Sequence, residues 1–492
     1  MKQQNQLYYG DNLEVLQNNI QDESIDLCYI DPPFNSNRDY NQIYNNIGKE
    51  DRAQATAFTD TWEWDKEATK DFQRFNLVKG DKKIPEKTKL LINGLHEILG
   101  EGSMLAYIIS ISQRIIEIHR VLKPTGSFYL HCDPTASHYL KLVLDSIFVT
   151  NGGTFRNEIV WCYTGPGSPN MRQFNRKHDV IFWYTKSNKW IFNKNKILLP
   201  YKGGSPHKGG FTEKDGTRLL PENYTEGKVP ETWWTDIAIV ARSQKERLGY
   251  PTQKPEKLME RIILASSNEK DVVLDAYCGC GTTVAVAQRL NRKWIGIDIT
   301  YQSIYVILKR LEDSFGKKVI NSIELSGIPK DIDSATALAH KKDDITRKEF
   351  EKWAILTYSN DNAKPKDKKG ADKGVDGTMH IYWDVDKNIK KILFSVKSGH
   401  VTVSQIRDFL HVIEREKAVA GFFLTLEKPT KPMLQEAKNA GTITIPLTGQ
   451  SIDKLQIVTI QQILDGARTN FPLVIDPLKK AERKTEDKQL KI

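Results

Sequence analysis

The sequence predicts an α/β protein in which an open, mostly parallel sheet is followed by a second α/β domain. Two observations lead to this prediction. Short apolar runs bounded by Gly, Pro or Asp alternate with segments of helical periodicity over the first 315 residues, as strands and helices of a parallel sheet do. A helix, a lysine-rich loop and a hairpin then begin a separate pattern after residue 344.

Each element of the sheet follows from its own local pattern. The apolar runs predict strands at 25–30, 127–131, 180–184, 272–275 and 294–298. Apolar residues at helical spacing predict helices at 104–122, 257–266, 282–290 and 302–315.

The domain organisation is predicted from the places where these patterns change. We expect a first domain at 1–320, an inserted region at 164–244, a linker at 321–344, a second domain at 345–475 and a charged, solvated tail at 476–492. A chain of 492 residues is long enough for two or three such units.

Charge and composition indicate the class of partner and the compartment. The chain has 72 Lys and Arg against 62 Asp and Glu, a net charge of +10, which favours a polyanion such as nucleic acid. No run reaches the roughly 18 apolar residues of a membrane span, and the first residues lack the apolar core of a signal peptide. We therefore expect a cytoplasmic protein with no membrane segment. The five scattered cysteines predict free thiols.

The sequence Asp31-Pro32-Pro33-Phe34 directly follows the first predicted strand, and ligands of open α/β sheets bind at the carboxyl ends of strands. A nucleobase amino group is a poor nucleophile because its lone pair is delocalised into the ring. A carboxylate and a proline-fixed carbonyl can each accept one of its N–H groups and free the lone pair. Phe34 suits stacking on a base flipped out of a duplex. A strand-ending turn without a catalytic role is the alternative.

A second site is predicted where a strand, a Gly-rich turn and a helix follow one another from Asp275 to Thr283. Gly279 and Gly281 allow a ligand to approach the backbone, and the helix N-terminus favours a negative group. Asp298 ends the next strand, where an acid can accept hydrogen bonds from both ribose hydroxyls of a nucleoside. The glycine pattern is shorter than a dinucleotide fingerprint, so a nucleoside without a pyrophosphate fits better than NAD. Glycines that only mark a turn are the alternative.

These motifs, in this order, resemble those of S-adenosylmethionine-dependent DNA amino-methyltransferases of the β order. In that family the DPPY/F motif precedes the target-recognition region, and the D-x-F-x-G-x-G motif comes last. The chain also carries GDN at 10–12, LKPTGSFYLHCDP at 122–134 and TQKP at 252–255, which are similar to family segments. The resemblance covers about residues 7–315 and departs at Tyr277, where the family usually has Phe.

The resemblance implies a circularly permuted, Rossmann-like methyltransferase sheet, S-adenosylmethionine as cofactor, double-stranded DNA as substrate and a homodimer, which is common in the family. It implies catalytic roles for Asp31, Pro32, Pro33 and Phe34. It implies cofactor binding by Asp11, Thr252, Lys254, Asp275, Tyr277, Gly279, Gly281, Thr282 and Asp298. Since cytosine-N4 members usually have Ser in place of Asp31, the motif favours adenine N6, and cytosine N4 is the alternative.

The irregular region at 164–244 is predicted to recognise the target sequence. Its cations suit phosphates and guanine edges, and its aromatic residues suit unstacked bases. We expect DNA contacts from Arg172, Arg176, Lys177 and His178. For any one of these residues a solvated surface without a DNA role is the alternative.

The domain predicted at 345–475 resembles the PD-(D/E)xK nuclease core, in particular Mrr-like restriction-endonuclease domains. The resemblance implies that Asp376 binds a divalent metal such as Mg²⁺, that Lys397 is the catalytic lysine, and that Glu351 is a candidate additional ligand. Ser395 departs from the family, which has Glu, Asp or Gln at this position, and a neutral hydroxyl is a weak ligand for a hard cation. A domain that binds DNA without cleaving it, or a folded appendage, is the alternative.

The sequence therefore predicts a site-specific DNA methyltransferase. It would transfer a methyl group directly from S-adenosylmethionine to adenine N6 of a flipped base, without a covalent enzyme intermediate. Three alternatives remain: a cytosine-N4 enzyme, a bifunctional restriction–modification enzyme whose second domain cleaves DNA with Mg²⁺, and a non-catalytic DNA-binding protein.

Overall fold

The computed structural model confirms the predicted open sheet and the second α/β domain. It describes residues 4–33, 62–165, 172, 174–200, 227–240, 246–248, 250, 252–340, 348–360, 362–366, 374–386, 388–467 and 471–472, and assigns backbone elements alone at 38–43, 54–60, 211–212, 218–219 and 344–347.

The strands of the first part of the chain are β1 (Asn5–Tyr9), β2 (Ile25–Ile30), β3 (Arg38–Ile43), β4 (Gln54–Asp60), β5 (Leu122–Cys132), β6 (Thr154–Cys162), β7 (His178–Thr185), β8 (Leu199–Pro200), β9 (Phe211–Thr212), β10 (Arg218–Leu219), β11 (Gly227–Lys228), β12 (Trp233–Trp234), β13 (Val272–Asp275), β14 (Lys293–Asp298) and β15 (Ile323–Ser326). Among the described residues, nine of them form the main sheet in the order β12-β6-β7-β5-β2-β13-β14-β1-β15. The strands from β5 to β15 in this order are parallel, and β7 is antiparallel to β5 and β6.

The helices of this part are α1 (Asn12–Asn19), α2 (Lys66–Arg74), α3 (Glu86–Leu99), α4 (Ser103–Val121), α5 (Pro134–Ile147), α6 (Glu256–Ser266), α7 (Thr282–Arg289), α8 (Tyr301–Phe315), α9 (Lys317–Ile320) and α10 (Ile332–Ala339). The four helices predicted from sequence are found with ends that differ by one residue at most. In the part of the chain that the structure describes, none of the helices has the length and apolar content needed to cross a membrane.

The central strands are apolar on both faces because helices cover both sides of the sheet. All six residues of β2 are buried. Leu27 and Tyr29 belong to one apolar cluster, whereas Cys28 and Ile30 belong to the other, as the alternation of side chains along a strand requires. This double burial explains why continuous apolar runs predicted these strands correctly.

Two predicted boundaries need correction. β7 lies inside the stretch predicted as an insertion, yet its last six residues are buried because β5 and β6 pair with it on either side, so it belongs to the scaffold. The stretch predicted as a linker, 321–344, contains β15, which pairs with β1 at the sheet edge. It also contains α10, whose Ala335 and Leu338 join the apolar core. The stretch is thus folded structure, with β15 paired to the first domain and α10 packed against α11 and α14 of the second domain.

The second domain contains β16 (Ala363–Pro365), β17 (Gly377–Tyr382), β18 (Ile389–Lys397), β19 (Ala420–Thr425), β20 (Thr442–Ile445), β21 (Gln450–Asp453) and β22 (Leu455–Thr459), with α11 (Asp344–Ser359), α12 (Val403–Arg415), α13 (Lys431–Asn439) and α14 (Ile460–Leu464). Its sheet has the order β16-β17-β18-β19-β22. The predicted hairpin is β17–β18, which is antiparallel, and the next two pairings are parallel. The prediction of an α/β domain is therefore confirmed.

The first helix of the second domain packs directly on the first domain. Phe350 and Trp353 of α11 are fully buried in an apolar cluster that also contains residues of β1, α7 and α8. The Glu349 carboxylate accepts hydrogen bonds from the Tyr301 backbone N–H at 3.1 Å and from the Tyr9 hydroxyl at 3.4 Å. The two domains thus share one continuous core.

Removing a side chain from this shared core should destabilise the chain. Trp353→Ala is expected to cost about 3–5 kcal/mol, as truncations of buried aromatic residues do, and to lower Tm in scanning calorimetry. Leu434→Ala, at a side chain that is 48% exposed in the second domain, is the control and should leave Tm nearly unchanged. Equal Tm values for the two variants would contradict the shared core.

Candidate active site at the carboxyl edge of the sheet

Three acidic residues meet where neighbouring parallel strands end. Asp31 follows β2, Asp275 ends β13 and Asp298 ends β14. Because β13 lies between β2 and β14, the two sites that the sequence predicted separately form one site. Burial raises the pKa of Asp275 to about 7, and the nearby charges of Asp31 and Asp298 add to this shift.

The DPPF motif places one carboxylate in a largely buried position. Asp31 Oδ2 lies 2.7 Å from Lys254 Nζ. Asp31 Oδ1 is buried and has no hydrogen-bond partner among the described residues. Pro32 is buried and Pro33 is half-buried. Phe34, the last residue of the motif, lies outside the described residues. The site therefore presents an acceptor that no described residue satisfies.

The Gly-rich turn binds Asp298 directly. The Gly279 N–H donates to Asp298 Oδ2 at 2.9 Å. Gly279 has φ +50°, and a Cβ there would lie 3.2 Å from the ring of Tyr250. Both the backbone conformation and the close approach of Tyr250 therefore favour glycine at this position. The role of Tyr250 was not apparent from the sequence, because Tyr250 is distant from Gly279 along the chain.

Asp298 is fixed between this turn and the start of α8. Its Oδ1 accepts from the Thr300 backbone N–H at 2.9 Å and from the Thr300 hydroxyl at 3.0 Å. Burial raises the pKa of Asp298 to about 6, although these hydrogen bonds oppose the shift. A carboxylate oxygen has two lone pairs, so Oδ1 is already saturated by Thr300, whereas Oδ2, which accepts from the Gly279 N–H, can still accept from a ligand hydroxyl.

Two residues predicted to bind the cofactor have packing roles in the structure. Gly281 has φ +72°, and a Cβ there would lie 2.7 Å from Ile307 of α8. The Thr282 hydroxyl accepts from Arg310 Nη1 at 3.1 Å. Arg310 also donates to Glu256 Oε1 at 2.9 Å. This buried arginine links the glycine turn to α6 and α8, and no sequence motif identified it.

The remaining predicted cofactor residues lie around the turn. Asp11 caps α1, accepts from Leu13 N–H at 2.8 Å and pairs with Arg114 at 2.8 Å. Burial raises the pKa of Tyr277, while Arg114 opposes this shift. Thr252 is half-buried at the start of the TQKP segment. In the structure Asp11 therefore organises α1 and Arg114 beside the turn.

A buried polar chain beneath Asp31 was missed by the sequence analysis. The Tyr29 hydroxyl and His131 Nδ1 share a hydrogen bond of 2.8 Å, and His131 Nε2 lies 3.0 Å from Asp179 Oδ2. The Tyr163 hydroxyl donates to Asp179 Oδ1 at 3.1 Å. Burial favours a higher pKa for Asp179, but His131 and Lys254 outweigh it and lower the pKa. The LHCDP segment, which contains His131 and is similar to a family segment, was the sequence feature that could have indicated this hydrogen-bonded chain.

The predicted recognition residues lie beside this edge. Arg176 Nη1 donates to Thr135 Oγ1 at 3.0 Å, and Thr135 follows the carboxyl end of β5. His178 begins β7, whose amino end pairs with that same end of β5. Arg172 is exposed and Lys177 is half-buried. Of two adjacent tryptophans in the predicted recognition region, Trp233 is 59% exposed and Trp234 is buried.

The predicted nuclease residues are only partly assembled. Asp376 Oδ2 accepts from the Val396 N–H at 2.7 Å and from the Ser395 hydroxyl at 3.2 Å. Lys397 ends β18, two residues after Ser395, and Glu351 lies on α11. Where residues are described, no group of three or more His, Cys, Asp and Glu side chains is placed to hold a metal ion.

Comparisons with known proteins agree with this geometry. Residues 342–455 match the restriction endonuclease family. The chain is 30% identical to the DNA adenine methyltransferase YhdJ of Escherichia coli K12 over 307 residues, which cover 62% of this chain and 82% of that protein. It is 30% identical to the type II methyltransferase M.HpaI of Haemophilus parainfluenzae over 298 residues, covering 60% and 71% of the two chains.

Among solved structures, the cytosine-N4-specific PvuII DNA methyltransferase aligns with a TM-score of 0.39 and 17% identity, covering 66% of this chain and 96% of that one. This similarity is too low to indicate which base is methylated. The family match, in contrast, extends over residues 25–309 and contains all three acids of the site. The chain therefore belongs to the DNA methylase family.

Proposed function

We propose that the chain methylates adenine N6 at a specific sequence in double-stranded DNA, with S-adenosylmethionine as methyl donor. The observation that carries this proposal is the meeting of Asp31 with Asp275 and Asp298 at one edge of the sheet. An acceptor for an amino group and an acceptor for ribose hydroxyls thereby lie in the same site. The names of the two relatives, a DNA adenine methyltransferase and a type II methyltransferase, support it.

The proposed chemistry uses the DPPF motif to change the hybridisation of the amino nitrogen. Asp31 and the Pro32 carbonyl each accept one N–H, so the nitrogen becomes more tetrahedral and its lone pair becomes available. We assign Phe34 to stacking on the flipped base and Pro33 to fixing the backbone. S-adenosylmethionine supplies an electrophilic methyl group on a sulfonium.

The described residues fit this cofactor. Asp298 Oδ2 has a lone pair left for a ribose hydroxyl, and the left-handed Gly279 leaves backbone close to the pocket. The buried acids Asp275 and Asp298 also suit a ligand that carries sulfonium and ammonium charges. We further assign Thr252 and Tyr277 to the walls of this pocket.

We assign sequence recognition to residues of this region, namely Arg172, Arg176, Lys177, His178 and Trp233. Adenine is preferred over cytosine because the motif begins with Asp31. A homodimer and a cytoplasmic location remain predictions of this proposal.

The base and the target site can be identified together. The chain is expressed in a host without its own DNA methylation, and the host DNA is read by modification-sensitive single-molecule sequencing. We expect N6-methyladenine at one recurring motif. N4-methylcytosine would overturn the choice of base, and unmodified DNA in the presence of folded protein would overturn the proposal.

Asp31→Ala should lower the methylation rate by about a hundredfold or more, the scale of positioned proton acceptors. Binding of S-adenosylmethionine should change little, because Asp31 contacts the base. Radioactive methyl incorporation and calorimetric titration measure the two quantities. Asp22→Ala, at a side chain that is 73% exposed near the amino end of the same strand, is the control. Retained methylation in Asp31→Ala would refute the role of this residue.

Cofactor affinity should fall by about tenfold or more between about pH 8 and pH 5.5. Burial raises the pKa of Asp298 to about 6 and of Asp275 to about 7, so both acids become protonated over this range. A cationic ligand favours the ionised acids, so binding releases protons. Calorimetry in two buffers of different ionisation enthalpy measures both effects. In Asp298→Asn the component near pH 6 should disappear, whereas a pH-independent affinity in the unmodified chain would contradict this prediction.

DNA cleavage by the second domain is a second candidate function, favoured by the restriction endonuclease match. The described donor set does not fit Mg²⁺. One oxygen of Asp376 is already bonded to Ser395 and Val396, and the neutral Ser395 hydroxyl is a weak ligand for a hard cation. We therefore assign this domain to DNA binding without cleavage.

Purified protein should leave supercoiled plasmid intact in the presence of Mg²⁺ or Mn²⁺, whether or not the DNA is modified. The reason is that Ser395 supplies no charge where a second acidic ligand is needed. Gel electrophoresis of the plasmid measures nicking and cutting. Cleavage that disappears in both Asp376→Ala and Lys397→Ala would establish the second function instead.

A further inference from the structure

The ion pair between Lys254 and Asp31 joins two residues for which the sequence resemblance implies different roles. Lys254 Nζ lies 2.7 Å from Asp31 Oδ2, and the two side chains are only 13% and 16% exposed. The resemblance implies that Lys254 binds the cofactor. The contact instead places the positive charge of Lys254 beside the Asp31 carboxylate, which in the proposed function accepts an N–H of the base amino group.

The segment before α6 holds Lys254 in a defined position. Pro255 is the N-cap residue of α6, and a proline restricts the preceding residue to extended backbone. The Gln253 side chain accepts from the Leu248 N–H at 2.8 Å. A cation directly before a helix N-terminus is unfavourable for that helix. The position of Lys254 is therefore explained by Asp31 rather than by α6.

The surroundings of the pair are acidic. The charge of Asp31 acts on Tyr29, Cys132 and Asp275, and the charge of Lys254 acts on Asp179. Burial raises the pKa of Asp275, and the charge of Asp31 adds to this effect. Lys254 thus supplies positive charge to acids from two strands, and without it Asp31 would lie unpaired beside Asp275.

The two oxygens of Asp31 are in different states. Oδ2 is held by Lys254, whereas Oδ1 is buried without a partner among the described residues. A buried acceptor without a hydrogen bond is unfavourable, and an N–H from a bound base would satisfy it. We propose that Lys254 is a positioning residue for Asp31, holding Oδ2 so that Oδ1 accepts the amino group of the flipped base.

This inference rests on the proposed function, and it differs from a cofactor-binding role in what it requires. A cofactor ligand contributes mainly to the affinity for S-adenosylmethionine. A residue that positions Asp31 contributes to kcat, because Oδ1 must face the amino group while the methyl group is transferred.

Three variants separate these roles. Lys254→Met should lower kcat by about tenfold or more, because a displaced acceptor no longer meets the reacting amino group. Its Kd for S-adenosylmethionine should stay within about twofold of the unmodified value. Lys254→Arg keeps the charge and should restore most of kcat. Lys257→Met, at a side chain that is 62% exposed on α6, is the matched control and should behave like the unmodified chain.

Two results would overturn the proposal. One is an unchanged kcat in Lys254→Met. The other is a loss of cofactor affinity with kcat restored at saturating S-adenosylmethionine, which would make Lys254 a cofactor ligand.

A thermal double-mutant cycle tests the ion pair without requiring methylation. Lys254→Met should lower Tm because it leaves a buried charge unpaired, and Lys254→Met combined with Asp31→Asn should recover part of the loss. Additive effects would overturn the pairing. If the cycle shows coupling but the unmodified chain methylates no DNA, the ion pair stands and the proposed function fails.

Discussion

The order of three neighbouring strands is the constraint on which the site depends. Since β2, β13 and β14 run parallel and adjacent, their carboxyl ends place Asp31, Asp275 and Asp298 side by side. Burial of three acids in one place is electrostatically unfavourable, and the raised pKa values of Asp275 and Asp298 record it. Two sets of contacts offset this repulsion. Lys254 forms an ion pair with Asp31, and backbone N–H groups and a hydroxyl donate hydrogen bonds to Asp298. A cationic cofactor would relieve the same repulsion.

The motif residues of the glycine turn serve the fold as well as the site. Gly281 makes room for Ile307 of α8, and the Thr282 hydroxyl is bound by Arg310. Gly279, in contrast, donates to Asp298 directly. One short motif therefore contains residues that shape the pocket and residues that pack the helices behind it. Substitutions at Gly281 or Thr282 would affect the cofactor site through the position of the turn.

The two domains are joined by packing that reaches this same edge. Glu349 of α11 bonds to the Tyr301 N–H at the start of α8, three residues after Asp298. The second domain thus supports the helix that begins beside the cofactor pocket. Its own predicted metal site is less complete, since Ser395 and Asp376 form a hydrogen bond with each other. In this chain the second domain has a structural connection to the methyltransferase domain whether or not it acts on DNA chemically.

Local sequence determined the elements and the chemical motifs. Continuous apolar runs such as 25–30 and 272–275 predicted buried strands because both faces of the sheet are covered, and the DPPF and glycine motifs indicated the chemistry from residue types alone. Only the tertiary structure decided that Lys254 lies on Asp31, that Arg310 bonds to Thr282, and that β15 pairs with β1 at the sheet edge. These contacts join residues that are distant along the chain, and local patterns carry no information about which distant partner a buried charge or a strand edge will find.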